Sequence, residues 1–166
     1  VGAASLAVVR SLGLELGPTT LTVFGPSLRR RTLWARTVRW TSVVDIETRT
    51  VMKNVGPAMA VDHDPVLRKH GDELFVVGRG QNTVTILDAA DLSFVEQLST
   101  GAGSNPQDVA VSGGRLFVAT YGGKGLVELT RGSTTITEID LAADDPDGQP
   151  NCTSIAAIGD ELFVSC

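Results

Sequence analysis

Three observations in the sequence predict an all-β fold made of repeated four-stranded antiparallel sheets. The phrase Gly71–Asp72–Glu73–Leu74–Phe75–Val76 returns letter for letter at residues 159–164, and a variant, Gly113–Gly114–Arg115–Leu116–Phe117–Val118, stands between them. Around the copies the apolar residues alternate with period two, as Val109/Val111 and Leu116/Val118 do. Glycine is abundant at 18 residues, and the apolar runs are short, which suits strands joined by tight turns better than long packed helices.

The spacing of the copies, 42 and then 46 residues, defines a structural repeat. Within one period every element reads as a strand. QDVAVS and RLFVAT flank Gly113–Gly114, a dipeptide suited to the positive φ of a tight hairpin. GLVELT (125–130) follows, then a polar Arg131–Gly132–Ser133 turn and TTITEIDL (134–141). The preceding period matches this with NTVTILD (82–88), the turn Ala89–Ala90–Asp91 and LSFVEQL (92–98). Residues 42–55 resemble this second hairpin once more, without the first. DVAVSGGRLFVAT (108–120) lies over SIAAIGDELFVSC (154–166), so the last segment is a first hairpin again.

Four short strands per period of about 40–45 residues is the pattern of a β-propeller blade. Residues 64–100 and 106–141 then make two full blades, with half blades at 42–55 and 153–166. Propellers close with about four to eight blades, so the expected object is a propeller fragment, an open arc that self-associates through its bare faces.

Charge divides the chain. Residues 1–41 hold six Arg against the single acid Glu15, whereas residues 42–166 hold eight Lys or Arg against eighteen Asp or Glu. Residues 1–41 therefore read as a basic N-terminal extension with no assignable fold, and 42–166 as the repeat region. The acidic body speaks against nucleic acid, whose phosphates need a basic surface. Arg-rich Ser27–Trp40 could meet phosphates or an anionic surface, but it lies outside the repeat and lacks periodicity. No run approaches the roughly 20 apolar residues that span a bilayer. No secretory signal is visible, since AASLAVV (3–9) lacks a preceding positive region and is interrupted by Arg10.

The stretches Val44–Val55, Asp64–Arg68, Leu74–Arg79, Asn82–Asp88, Gly103–Val111, Tyr121–Leu129, Ile139–Asp140 and Asp145–Gly148 resemble YVTN-type propeller repeats. They are closest in pattern to repeats of bacterial surface-associated proteins and lipoproteins. The resemblance covers residues 42–166 and implies an extracellular, cell-surface or periplasmic protein. It is specific for fold and unspecific for activity, because propellers host many unrelated functions.

In a propeller the first strand of each blade lines the central channel. The 42 and 46 offsets make His63, Asn105 and Asn151 equivalent at one channel mouth, with Arg79 and Tyr121 equivalent where the second strand leaves it. Such a polar ring is where a ligand would bind, and strand-end capping accounts for the same residues. Asp62–His63–Asp64 cannot direct all three side chains at one metal, since consecutive strand residues face opposite sides. Asp145 and Asp147 have calcium-loop spacing without the full pattern or a bidentate Glu, and a solvated acidic turn explains them equally well. Cys152 and Cys166 end one hairpin near the same rim, one step out of register, and both a disulfide and two free thiols fit.

Nothing catalytic stands out. His63 and His70 are the only histidines, and no G-x-S-x-G or Ser/His/Asp motif is present. The expected function is a non-catalytic extracellular or surface module that binds or scaffolds a protein or cell-envelope ligand, without a cofactor. The alternative is part of a propeller enzyme, of hydrolase, lactonase or cofactor-dependent dehydrogenase type, whose catalytic residues lie in other blades.

Overall fold

A computed structural model describes residues 21–23, 32–37, 40–55, 62 and 64–166. It contains fourteen strands: β1 (Leu21–Val23), β2 (Thr32–Thr37), β3 (Trp40–Asp45), β4 (Val51–Val55), β5 (Val66–His70), β6 (Glu73–Gly78), β7 (Thr83–Asp88), β8 (Phe94–Ser99), β9 (Pro106–Ser112), β10 (Arg115–Thr120), β11 (Gly125–Leu129), β12 (Ile136–Asp140), β13 (Ser154–Ile158) and β14 (Glu161–Ser165). All pairings are antiparallel between neighbours in sequence. They give three four-stranded sheets, β1–β4, β5–β8 and β9–β12, and a two-stranded sheet β13–β14. We call these sheets I to IV.

The thrice-written phrase builds the β5–β6, β9–β10 and β13–β14 hairpins. Its first glycine takes φ 56° at Gly71, 56° at Gly113 and 61° at Gly159, a left-handed turn position that costs glycine nothing. The following Leu-Phe-Val alternates across the sheet. Leu74 and Val76 join one apolar cluster with Val43 of sheet I, while Phe75 and Val77 join another with Val109, Leu116 and Val118 of sheet III. Phe117 and Ala119 of sheet III meet Ile155 of sheet IV and Cys152 just ahead of it. The core is thus a series of layers between successive sheets. This is a β-propeller fragment of four-stranded antiparallel blades, arranged as an open arc and not a closed ring.

The N-terminal part differs from the sequence expectation. The hairpin expected at 42–55 is β3–β4, but the compositional boundary near residue 41 falls within β3. Strands β1 and β2, drawn from the segment expected to have no fold, complete sheet I on the inner side of β3. The reason is local. An outer hairpin leaves one row of backbone donors and acceptors unpaired along β3, and Thr32–Thr37 satisfies it without the repeat phrase.

Candidate functional site

The rim of the arc is set by three residues with left-handed backbone: Asp64 (φ 47°), Asn105 (φ 45°) and Asn151 (φ 50°). Asp and Asn tolerate this region better than other non-glycine residues, so the sequence places them where each connection turns into its inner strand. Asp64 directly follows His63, the residue expected at this position from the sequence offsets. The pairing of β9 with β10 slips between Ala119 and Thr120, so that Thr120 lies opposite Pro106 and Gln107 is an extra residue. With that bulge, the left-handed residues Asp64 and Asn105 stand 41 residues apart on this side of the hairpin. His63 itself lies outside the described residues.

The second-strand partners follow the same frame. Arg79, just after β6, forms an ion pair with Asp64, and Tyr121, just after β10, donates its backbone N–H to the carbonyl of Asn105 at 3.1 Å. Tyr121 is 48% exposed and presents its ring to solvent. Asn105 is engaged on its own strand: Gln107 Nε2 donates to its Oδ1 at 2.9 Å and to its carbonyl at 3.0 Å. Asn151 is half-buried beside Cys152, whose N–H donates to the Thr120 carbonyl at 3.1 Å.

A residue not singled out in the sequence organises this rim. Asn82, in the β6–β7 turn with φ 54°, accepts the Asn105 N–H at 2.9 Å and the Ser104 hydroxyl at 3.3 Å on its Oδ1. Its backbone carbonyl accepts the Thr100 N–H at 2.8 Å, and the Thr100 and Ser104 hydroxyls bond at 2.7 Å. Sheets II and III are therefore clasped at the mouth by polar groups with few free valences. At the opposite end Arg131, in the β11–β12 turn, bonds Glu73 and Glu96 of sheet II. The Glu73 carboxylate beside it raises the guanidinium pKa further above its ordinary value.

Along the inner strands lies a second constellation that sequence reading missed. Asp108 on β9 has a side chain only 4% exposed. Its carboxylate accepts Arg68 Nε at 2.8 Å and Nη2 at 3.1 Å from β5, its neighbour Val109 N–H at 2.9 Å, and Ile155 N–H at 3.2 Å from β13. One carboxylate thus joins the first strands of three successive sheets. Arg68 is 44% exposed and borders a cleft of about 530 Å³ that also touches Ser154, Ile155, Phe163 and Ser165. No local motif signals this pair, because its members stand 40 residues apart.

The remaining candidates are placed as follows. Cys152 and Cys166 form a disulfide with an S–S distance of 2.03 Å, and Cys152 is fully buried between sheets III and IV. Ser154 pairs with Ser165, so Cys152 lies one step beyond the register of its partner, as the two-residue turn requires. Asp145 Oδ1 accepts the Asp147 N–H at 3.0 Å, and Asp147 Oδ1 accepts the Gln149 N–H at 2.8 Å. The Asp147 hydrogen bond holds the Asp145 carboxyl below the ordinary aspartate pKa. Both carboxylates stabilise their own turn. Among the described residues, no group of three or more His, Cys, Asp or Glu is placed to hold a metal ion. Among them, too, no helix is long and apolar enough to cross a membrane.

No family model and no curated protein matches the sequence. Solved structures do match. A catalytically inactive virginiamycin B lyase from Staphylococcus aureus with quinupristin has TM-score 0.67 at 13% identity, covering 92% of this chain and 50% of that one. BamB from Moraxella catarrhalis has TM-score 0.60 at 11% identity, over 86% of this chain and 40% of that one. The extracellular domain of the one-component system BT4673 from B. thetaiotaomicron has TM-score 0.61 at 17% identity, over 88% and 19%. At these identities the likeness concerns the fold, a propeller. The chain spans half or less of the length of each of these proteins.

Proposed function

We propose that this chain serves as a non-catalytic extracellular, cell-surface or periplasmic module that binds or scaffolds a protein or cell-envelope ligand. The observation that carries this reading is the saturation of Asp108. A buried carboxylate that accepts an Arg fork and two backbone N–H groups is committed to holding sheets together, and it has no free valence for acid–base work. The Cys152–Cys166 disulfide supports an oxidising compartment. So does the likeness to a domain described as extracellular. The ligand would meet the rim, where exposed Tyr121 and the Asp64–Arg79 pair flank Asn105 and Asn151. An amphipathic ring beside a charged pair suits a polar polymer or a protein surface.

The test is co-sedimentation of the purified chain with isolated bacterial cell-wall sacculi and with solubilised envelope proteins. Tyr121→Ala and Arg79→Ala should each reduce retention several-fold while leaving the far-ultraviolet spectrum unchanged. Retention untouched by both changes would remove the rim from the reading.

A second reading rests on the cleft beside Arg68 and on the likeness to a lyase: the chain forms part of a propeller enzyme. Its catalytic groups would then come from blades other than these. Turnover of ester, lactone or related substrates by a longer protein that carries these blades together with others, reduced at least about tenfold by Arg68→Ala at the cleft, would favour that reading and displace the first.

A further inference from the structure

Three successive first strands carry the same repeat position opposite the phenylalanine of the phrase. Arg68 pairs with Phe75, Ala110 with Phe117 and Ala156 with Phe163. The inner wall therefore sets one long cationic side chain beside two that end at Cβ. A hollow of about 290 Å³ lies across these strands, bordered by Arg68 and His70 of β5, Val111 of β9, and Ile155 and Ala157 of β13. His70 directly precedes the Gly71 turn and Val111 stands two residues before Gly113, so the hollow lies toward the turns and away from the rim.

Its charge runs against that of the body. Residues 42–166 hold eighteen Asp or Glu against eight Lys or Arg, yet among the described residues that line the hollow none is acidic. Asp108 grips Arg68 from a side chain only 4% exposed and takes no part in the lining. Glu73, opposite His70 on β6, is held by Arg131. Arg68 has five N–H groups and commits three: Nε and Nη2 to Asp108, and Nη1 to the Leu67 carbonyl at 3.2 Å. Two donors remain, one on each terminal nitrogen, on a side chain 44% exposed.

The rest of the wall is apolar and firmly held. Val111 packs on the core between sheets II and III, and buried Ile155 belongs to the core between sheets III and IV. Apolar walls with a few convergent polar groups are what a small ligand fills. At about 290 Å³ the hollow has roughly twice the ~150 Å³ that houses a benzene ring, which leaves room for one ring and a carboxylate.

We propose that this hollow binds a small apolar carboxylic acid, with its carboxylate on the two remaining N–H groups of Arg68 and its ring or branched chain against Val111, Ile155 and Ala157. Guanidinium and carboxylate make a charge-assisted contact, stronger than one between neutral groups. Asp108 already fixes the guanidinium, so the ligand has no long side chain to order. Ala110, where β5 carries Arg68, leaves the floor of the hollow open to the ring. The acid differs in kind from the polymer or protein proposed for the rim, and the two sites share no residue.

Titration of phenylacetate into the full chain under non-reducing conditions, followed by backbone amide shifts in NMR, tests this. Saturation with a Kd of about 0.1–1 mM is expected, with the largest shifts at 68–70, 110–111 and 155–157. Benzyl alcohol, which lacks the charge, and acetate, which lacks the ring, should each bind at least about tenfold more weakly. Arg68→Met should weaken phenylacetate at least about tenfold. Ala157→Leu, at a lining residue outside the Arg68–Asp108 pair, should do the same by filling the hollow, and it decides alone if Arg68→Met alters the far-ultraviolet spectrum. Absence of saturation up to about 10 mM overturns the proposal. So does benzylamine binding as tightly as phenylacetate, a shift pattern centred on Tyr121, or an affinity that Ala157→Leu leaves unchanged. Tyr121→Ala should leave the phenylacetate Kd as it is, so rim binding and acid binding fail separately.

Discussion

Arg68 and Asp108 form a two-pronged ion pair that runs from the first strand of one sheet to the first strand of the next, at 2.8 and 3.1 Å. The acidic partner is buried and the basic partner half in solvent. The pair therefore gains the geometric specificity of a fork without burying two full charges.

Replacing Asp108 by Ala strands the Arg68 guanidinium and the Ile155 N–H at once. Breaking a fully buried pair costs about 3–5 kcal/mol, and the exposure of Arg68 lowers this to about 2–3 kcal/mol. Arg68→Lys keeps the charge and loses the fork, so a smaller loss, of about 1 kcal/mol, is expected. Urea denaturation of the three proteins checks the order.

Reduction of Cys152–Cys166 should act locally. The bridge closes a sequence separation of 14 residues, for which the chain-entropy estimate is about 3 kcal/mol. Among the described residues β14 pairs with β13 alone, so the loss falls on that hairpin. Amides of residues 154–165 should exchange faster under reductant, while β5–β12 keep their protection. Uniform acceleration across all sheets would show that the four behave as one cooperative unit.

Two glycines separate crowding from backbone conformation. A Cβ on Gly122 would sit 2.2 Å from the Gly103 carbonyl oxygen, a backbone atom that cannot step aside. Gly122→Ala should therefore cost at least about 2–3 kcal/mol. Gly114 has φ 76° with open space around it, so Gly114→Ala should cost only about 1–2 kcal/mol through conformation alone. Thermal melts of both variants decide whether the order holds.

Acid should loosen the turns. The Ala142 N–H, and then Lys124, hold the Asp140 carboxyl below its usual pKa, and the Ser93 N–H does the same for Asp91. A depressed carboxyl contributes stability that is complete above the unfolded value of about 3.9 and is lost as pH falls through the folded value. The denaturation midpoint should be flat from about pH 7 to 5 as far as these groups are concerned, and decline below about pH 4. Lys124→Met should raise the Asp140 titration midpoint followed by NMR, because it removes one of the two stabilising partners.

The sheets of residues 64–166 were legible because turn glycines and period-two alternation write both strand and register into a few letters. Phe75, Phe117 and Phe163 could be aligned by eye. β1 and β2 were not legible, since Thr32–Thr37 pairs to satisfy an edge and carries no turn signal of the repeat. The rim was legible in Asn105 and Asn151, which share left-handed backbone with Asp64, whereas the bulge at Gln107 has no sequence signature and His63 lies outside the described residues. Arg68–Asp108 and Asn82–Asn105 were hidden for another reason. Their meaning arises from sheets packing side by side, and each member alone is an ordinary polar residue.

The three left-handed residues at the mouth have an evolutionary consequence. Asp64, Asn105 and Asn151 hold nearly the same φ although 41 residues separate the first two and 46 the others. The additional length lies in the connection around Ala142–Gly148, ahead of the pivot, and the strands beyond it keep their pairing. Each pivot thus works as a hinge pin that uncouples connection length from sheet geometry. Insertions and deletions can accumulate there without disturbing the layers between sheets, and a lineage can remodel its outer surface one connection at a time.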